Sequence, residues 1–289
     1  MTTLVEVYRS ATRAACEERA FVLHAVGIGA EILAVGEGWA LFTLLDSHQQ
    51  AREQLLRYQR ENPPRKAAVP LEPVQPWAGL GVAGYAIALL LVAWLAGRNA
   101  FTRDWLAQGV LRAGAASNGE GWRAVTALTL HFDVGHLLAN LGFGVVFGLF
   151  AGQLLGPGVA WASVLVAAAG ANLLNSFIQP AQLVSAGAST AVFTTLGLLS
   201  AYAWRRRGGR GERWAYRWAP LIAGVALLGF TGVGGERTDV LAHLTGFATG
   251  VLAGLLLALR AEAAGPGAQW IAGLATIAAL VTAWAFALA

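Results

Sequence analysis

Four polar side chains interrupt the apolar runs of this sequence where they can do chemistry: His136, Asn140, Ser189 and His243. Polar groups in lipid are expensive and are functional candidates by default. A serine hydroxyl attacks a carbonyl only when a base takes its proton, and histidine is the commonest base. The tetrahedral oxyanion that follows needs donors aimed at it. His136, Asn140 and the unpaired N–H groups of a helix's first turn can supply them. Gly187, two residues before Ser189, lets the chain turn sharply into such a helix. Read singly, each residue has a plainer explanation. A serine in a spanning helix usually bonds its own helix carbonyl, and an asparagine or histidine there often ties one helix to another. Asp133 and Asp239 invite a triad, Asp239 lying four residues before His243, but both fall at hydrated loop ends.

The elements that must position these groups follow from composition. At 56% hydrophobic and 12% charged, with a mean hydropathy of +0.56, the chain is no ordinary soluble domain, where about 25% of residues are charged. The net charge of +4 resides in short Arg-bearing segments between apolar runs, which marks membrane topology and not a nucleic-acid partner. One cysteine, Cys16, excludes an internal disulfide and a thiolate metal cluster. No cofactor is implied. Apolar runs near 77–96, 136–155, 159–178, 187–204, 219–234, 240–259 and 268–289 predict seven spans. Arg205, Arg206, Arg207, Arg210, Arg213 and Arg217 place the connection between the fourth and fifth spans in the cytoplasm. No secretory signal precedes the first run, so the N-terminal segment is expected inside. Spans two, four and six then run inward from the external face, and their starts bring His136, Asn140, Ser189 and His243 to one depth. Gly246 and Gly250 follow His243 with the small-residue spacing that lets helices approach closely, and Gly197 offers the same to span four.

Residues 1–62 have the charge and alternation of a small α+β domain. Leu4–Leu23 predicts a helix, Glu31–Val35 and Trp39–Leu44 predict two strands about a Gly36–Gly38 turn, and Asp46 with Gln49 predicts a capping box for a second helix through Arg60. The prolines at 63, 64, 70, 73 and 76 make residues 63–76 a linker. The external loop, 97–135, is too long and too rich in Trp, Arg and Gly to be a simple turn.

Three separated motifs, in order, resemble those of the rhomboid proteases. His131-Phe132-Asp133-Val134-Gly135-His136-Leu137-Leu138-Ala139-Asn140 resembles the family's H-x-x-x-x-H-x-x-x-N segment, Gly187-Ala188-Ser189-Thr190 its G-x-S-x, and Ala242-His243-Leu244-Thr245-Gly246 its A-H-x-x-G. Trp122-Arg123 is similar to the W-R pair of its first external loop. The resemblance covers roughly 77–259 and implies an all-α polytopic membrane protein: a six-helix bundle, with 268–289 as an additional C-terminal span. It further implies a Ser189–His243 dyad, with His136 and Asn140 stabilising the oxyanion and His131 supporting the site. Residues 1–62 look like the small cytosolic domain some bacterial rhomboids carry, which points to a bacterial inner membrane. Two positions depart from the pattern. Thr190 stands where the family has glycine, and Phe193 where it commonly has tyrosine, so stacking on His243 remains possible but no hydroxyl is offered.

The expected activity is hydrolysis of transmembrane protein substrates near the outer face, through an acyl-enzyme on Ser189, in a polar cavity open to the outside. The partners expected are those substrates and the bilayer, with no nucleic acid; the sequence does not fix an oligomeric state. Three other readings are weighed. A metalloprotease lacks H-E-x-x-H, and on a helix His131 and His136 would point roughly 140° apart. A transporter would show internal repeats, which are not seen. A catalytically silent relative that binds client helices would have no need of both Ser189 and His243.

Overall fold

The computed structural model describes residues 3–62, 74–207, 214–231, 239–259 and 264–289. It divides into two compact units, Met1–Leu71 and Glu72–Ala289.

In the first unit, β1 (Leu4–Ser10), α1 (Arg13–Ala25), β2 (Ala30–Val35), β3 (Gly38–Leu44) and α2 (His48–Glu61) follow in order. The strands form an antiparallel sheet in the order β1-β3-β2. Ala20, Leu23, Ile28, Leu41, Ala51 and Leu55 form its buried core. The helix expected over Leu4–Leu23 is half strand: Val5 and Tyr8 suit a strand, and pairing with β3 decides the conformation. The capping box is not formed. Asp46 sits in a 3-10 turn at Leu45–Ser47, α2 starts at His48 without a side-chain cap, and Gln49 bonds Glu53 instead. Most of the predicted linker, 63–73, lies outside the described residues.

The second unit contains, among the described residues, seven long helices: α3 (Ala78–Gly97), α6 (Val134–Leu155), α7 (Pro157–Ile178), α8 (Ser189–Arg206), α9 (Trp214–Thr231), α10 (Val240–Leu257) and α11 (Pro266–Leu288). Five are long and apolar enough to cross a membrane: α3, α6, α7, α10 and α11. The exceptions have physical reasons. From Thr190 to Tyr202 nearly every residue of α8 is buried, so this helix meets protein instead of lipid and can carry threonines and serines. Thr195 and Ser200 satisfy their hydroxyls on the carbonyls of Ala191 and Leu196. α9 starts with Trp214, Tyr216, Arg217 and Trp218, side chains suited to the membrane–water boundary, which lower its apolarity.

α8 and α10 are closely packed. A side chain added at Gly246, Gly250 or Gly254 would run into the backbone carbonyl of Thr190, Thr194 or Leu198 respectively. The pairs advance together along both helices, so the two run parallel. Around α3, the stacked rings of Tyr85 and Trp161, 4.8 Å apart, occupy space left by Gly81, Gly144 and Gly148.

Between α3 and α6 the loop is ordered by α4 (Trp105–Gly109), β4 (Leu111–Arg112), α5 (Arg123–Thr126) and a 3-10 turn at Ala127–Thr129. Arg123, 4% exposed, holds Glu120 through both carboxylate oxygens and donates to the carbonyls of Ala107 and Val110. β4 pairs with β5 (Val184–Ser185), which leads directly toward α8.

Candidate active site

Ser189 is the first residue of α8. It therefore has no preceding helical turn to bond, unlike Thr195 and Ser200. The turn before it is held by two main-chain donors: Gly187 N–H to the Ala127 carbonyl at 2.9 Å, and Ala188 N–H to His131 Nε2 at 3.3 Å. Gly187 has φ of 147°, a conformation L side chains rarely adopt. A Cβ there would fall 2.6 Å from His136 Cε1, 2.8 Å from His136 Nε2 and 3.5 Å from Ser189 Oγ. The His136 ring and the Ser189 hydroxyl thus converge over the Gly187 α-carbon.

His136 lies in the first turn of α6, whose N-cap Asp133 accepts its backbone N–H at 2.8 Å. One turn on, Asn140 is 5% exposed and its Nδ2 has no hydrogen-bond partner among the described residues. The Tyr85 hydroxyl donates to the Asn140 carbonyl at 2.8 Å, with Gly144 leaving room for its ring. His243 lies in the first turn of α10, 7% exposed. Its ring is 4.3 Å from that of Phe193, tilted by 37°. Phe193 stands one turn after Ser189, so the face of α8 that bears Ser189 is turned toward His243.

The aspartates are accounted for as helix caps. Asp133 serves α6, and Asp239 Oδ1 accepts Ala242 N–H at 2.9 Å at the start of α10. His131 does not share a helix with His136: it precedes the N-cap, and the two rings meet edge to face at 5.1 Å. The relative direction of the two rings is therefore not that of a continuous helix. Burial, and then the neighbouring His136, push the His131 imidazole down to about 4. It is neutral at physiological pH, as it must be for Nε2 to accept from Ala188.

Thr190, in place of glycine, is buried at the α8–α10 contact, its methyl 3.2 Å from where a Gly246 side chain would begin. Gly246 supplies the room that Thr190 takes. Ser189 and His136 are half-buried, so the layer is not sealed on every side. A groove of about 530 Å³ lies elsewhere, lined by Gly121, Trp122, Ala279, Thr282 and Phe286, and does not include Ser189. Sequence reasoning missed two supports: Ala127, whose main-chain carbonyl accepts Gly187 N–H, and Tyr85, an aromatic in an apolar run whose hydroxyl donates to the Asn140 carbonyl.

Residues 118–260 match the Rhomboid domain. The chain is 33% identical to "Rhomboid-like protease 3" of Toxoplasma gondii over 154 residues, 52% of this chain and 56% of that protein. It is 39% identical to "Rhomboid-like protein 11, chloroplastic" of Arabidopsis thaliana over 72 residues, 25% of this chain and 26% of that protein. The chain thus spans about half the length of the first relative and about a quarter of the second. The domain match encloses Trp122, Arg123 and every polar residue from His131 to His243 described above. With this domain set among several apolar helices, the chain is an integral multi-pass membrane protein that carries a Rhomboid domain.

Proposed function

We infer that this protein is an intramembrane serine endopeptidase. The observation that carries the reading is the convergence of the Ser189 hydroxyl and the His136 ring over Gly187, with the buried Asn140 Nδ2, unpartnered among the described residues, one turn after His136. Ser189 Oγ attacks the scissile carbonyl of a transmembrane substrate while His243 takes its proton. His136, Asn140 Nδ2 and the free N–H of Ser189 stabilise the oxyanion. His243 then returns the proton to the leaving amine, and water releases the acyl group from Ser189 by the same route in reverse. Gly187, His131 and Phe193 set the geometry: the glycine by its backbone, His131 by accepting Ala188 N–H, and Phe193 by its ring against His243.

In this reading residues 77–259 are the catalytic core, 268–289 an added span, and 1–62 a cytosolic domain joined through 63–76. The external face carries the site, the N-terminus is cytoplasmic, and the membrane is a bacterial inner membrane. The substrate helix must unwind locally, since a fully bonded helix hides its carbonyls, so small or helix-breaking residues near the outer boundary are favoured.

The test is labelling of the detergent-solubilised protein with a fluorophosphonate probe, alongside cleavage of a reporter transmembrane substrate. Wild type should label and cleave, and Ser189→Ala and His243→Ala should do neither. A folded wild type that does neither would sink the reading and leave a protein that binds client helices.

A further inference from the structure

The chemistry above gives α11 no task, yet α11 is tied by single polar side chains to elements far from it in sequence. Near one end, the Gln269 amide donates through Nε2 to the Leu155 carbonyl at 2.8 Å and accepts Val159 N–H through Oε1 at 3.0 Å. It thereby satisfies the last turn of α6 and the first of α7, where backbone groups lack helical partners. Near the other end, the buried Trp284 indole N–H donates to Thr129 Oγ1 at 3.1 Å, joining residues 155 apart in sequence. The Trp284 ring also lies 4.5 Å from Trp105 and over Gly109, where a Cβ would come within 2.7 Å of it.

Thr129 occupies a particular place. Ala127, two residues earlier, accepts Gly187 N–H, and His131, two residues later, accepts Ala188 N–H. Those donors belong to the two residues immediately before Ser189. A single short segment, 127–131, therefore sets the turn that presents Ser189, and α11 grips that segment at its centre. In lipid, apolar contact between helices gives little driving force toward one register, so a buried directional bond decides where the segment sits.

We propose that Trp284 is a positioning residue for Ser189, acting through Thr129 and the 127–131 segment. The proposal rests on the reading of Ser189 as the nucleophile. Displacement of a reacting group by about 1 Å can cost about a hundredfold in rate, so a modest relaxation of this segment is enough to be seen.

The experiment uses the full chain in detergent micelles. Trp284→Phe keeps the ring against Trp105 and Gly109 and removes the N–H. Thr129→Val removes the acceptor at similar shape, together with the hydroxyl's own donation to the Thr126 carbonyl at 2.8 Å, and Thr129→Ser restores both. Three quantities are read: the rate of fluorophosphonate labelling at Ser189, kcat and KM on a reporter transmembrane substrate, and amide hydrogen exchange of peptides covering 127–131 and 186–189. Trp284→Phe and Thr129→Val should each lower labelling rate and kcat about tenfold with KM within about twofold, and the double variant should be no worse than either. Thr129→Ser should match wild type, and exchange at Gly187 and Ala188 should rise in both impaired variants. Wild-type rates and exchange in Trp284→Phe, or additive losses in the double variant, would overturn the proposal. Should wild type fail to label at all, the protease reading falls, and the exchange measurement still decides whether Trp284 holds the Gly187–Ala188 turn.

Discussion

α8 and α11 are helices of similar length built on opposite plans. α11 is apolar apart from Gln269, Thr276 and Thr282, and only 17% of its most hydrophobic stretch is buried in protein. α8 carries Ser189, Thr190, Thr194, Thr195 and Ser200, falls short of the apolarity needed to be recognised as a span, and is buried along almost its whole length. In lipid the least hydrophobic helix is the central one, because only the outer helices face the apolar solvent. Polarity here marks the interior, and apolarity the rim.

This contrast can be broken or sharpened by mutation. The largest effect is expected inside. On the proposed oxyanion role, Asn140→Ala should lower kcat by about a hundredfold, while leaving the thermal unfolding midpoint in micelles nearly unchanged, since its Nδ2 has no partner among the described residues. A large fall in the midpoint would recast Asn140 as glue between helices. Next, the same glycine substitution should behave differently in the two places. Gly250→Ala drives a methyl into the Thr194 carbonyl and should cost about 1–3 kcal/mol by overpacking. Gly273→Ala on α11 meets only the Gly158 α-carbon at 3.8 Å and should gain up to about 1 kcal/mol from helix propensity. Equal effects would remove the distinction.

Acid supplies a third probe. The folded His131 titrates at about 4, below its ordinary 6.5, so the unfolded chain binds more protons between those values and stability rises with pH across them. Its contribution should be fully present above about pH 6.5 and lost as pH falls toward about 4. His131→Gln, which keeps an acceptor but does not titrate, should flatten the thermal-midpoint profile in that window. The smallest effect is expected at Thr194, whose Oγ1 is buried without a partner among the described residues. Thr194→Val should be neutral or stabilising by less than about 1 kcal/mol, whereas Thr195→Val gives up a bond to Ala191.

Legibility in the sequence followed the same contrast. The seven helices were visible as apolar runs, and the polar interruptions at their starts drew attention to His136, Asn140, Ser189 and His243. What failed was local where a tertiary partner decided the outcome. β1 looks helical in the sequence because its pairing with β3 is non-local. α9 begins at Trp214, not near 219, because aromatic and arginine residues at a membrane boundary interrupt hydropathy without interrupting the helix. β4 and β5 are two residues each, too short for any period. Trp284 was invisible for a different reason. An indole within an apolar run reads as lipid-facing bulk, and nothing nearby points to a hydroxyl 155 residues away.

The α8–α10 contact also bears on how the protein is made. A ribosome adds about 5–20 residues per second, so seconds separate the arrival of Ser189 in the membrane from that of His243. Until α10 has inserted and seated its glycines against the carbonyls of α8, the nascent chain holds Ser189 without the helix that carries His243. On the proposed reading of His243 as the base, an unfinished copy passing through the insertion machinery is inert toward the other chains inserting beside it.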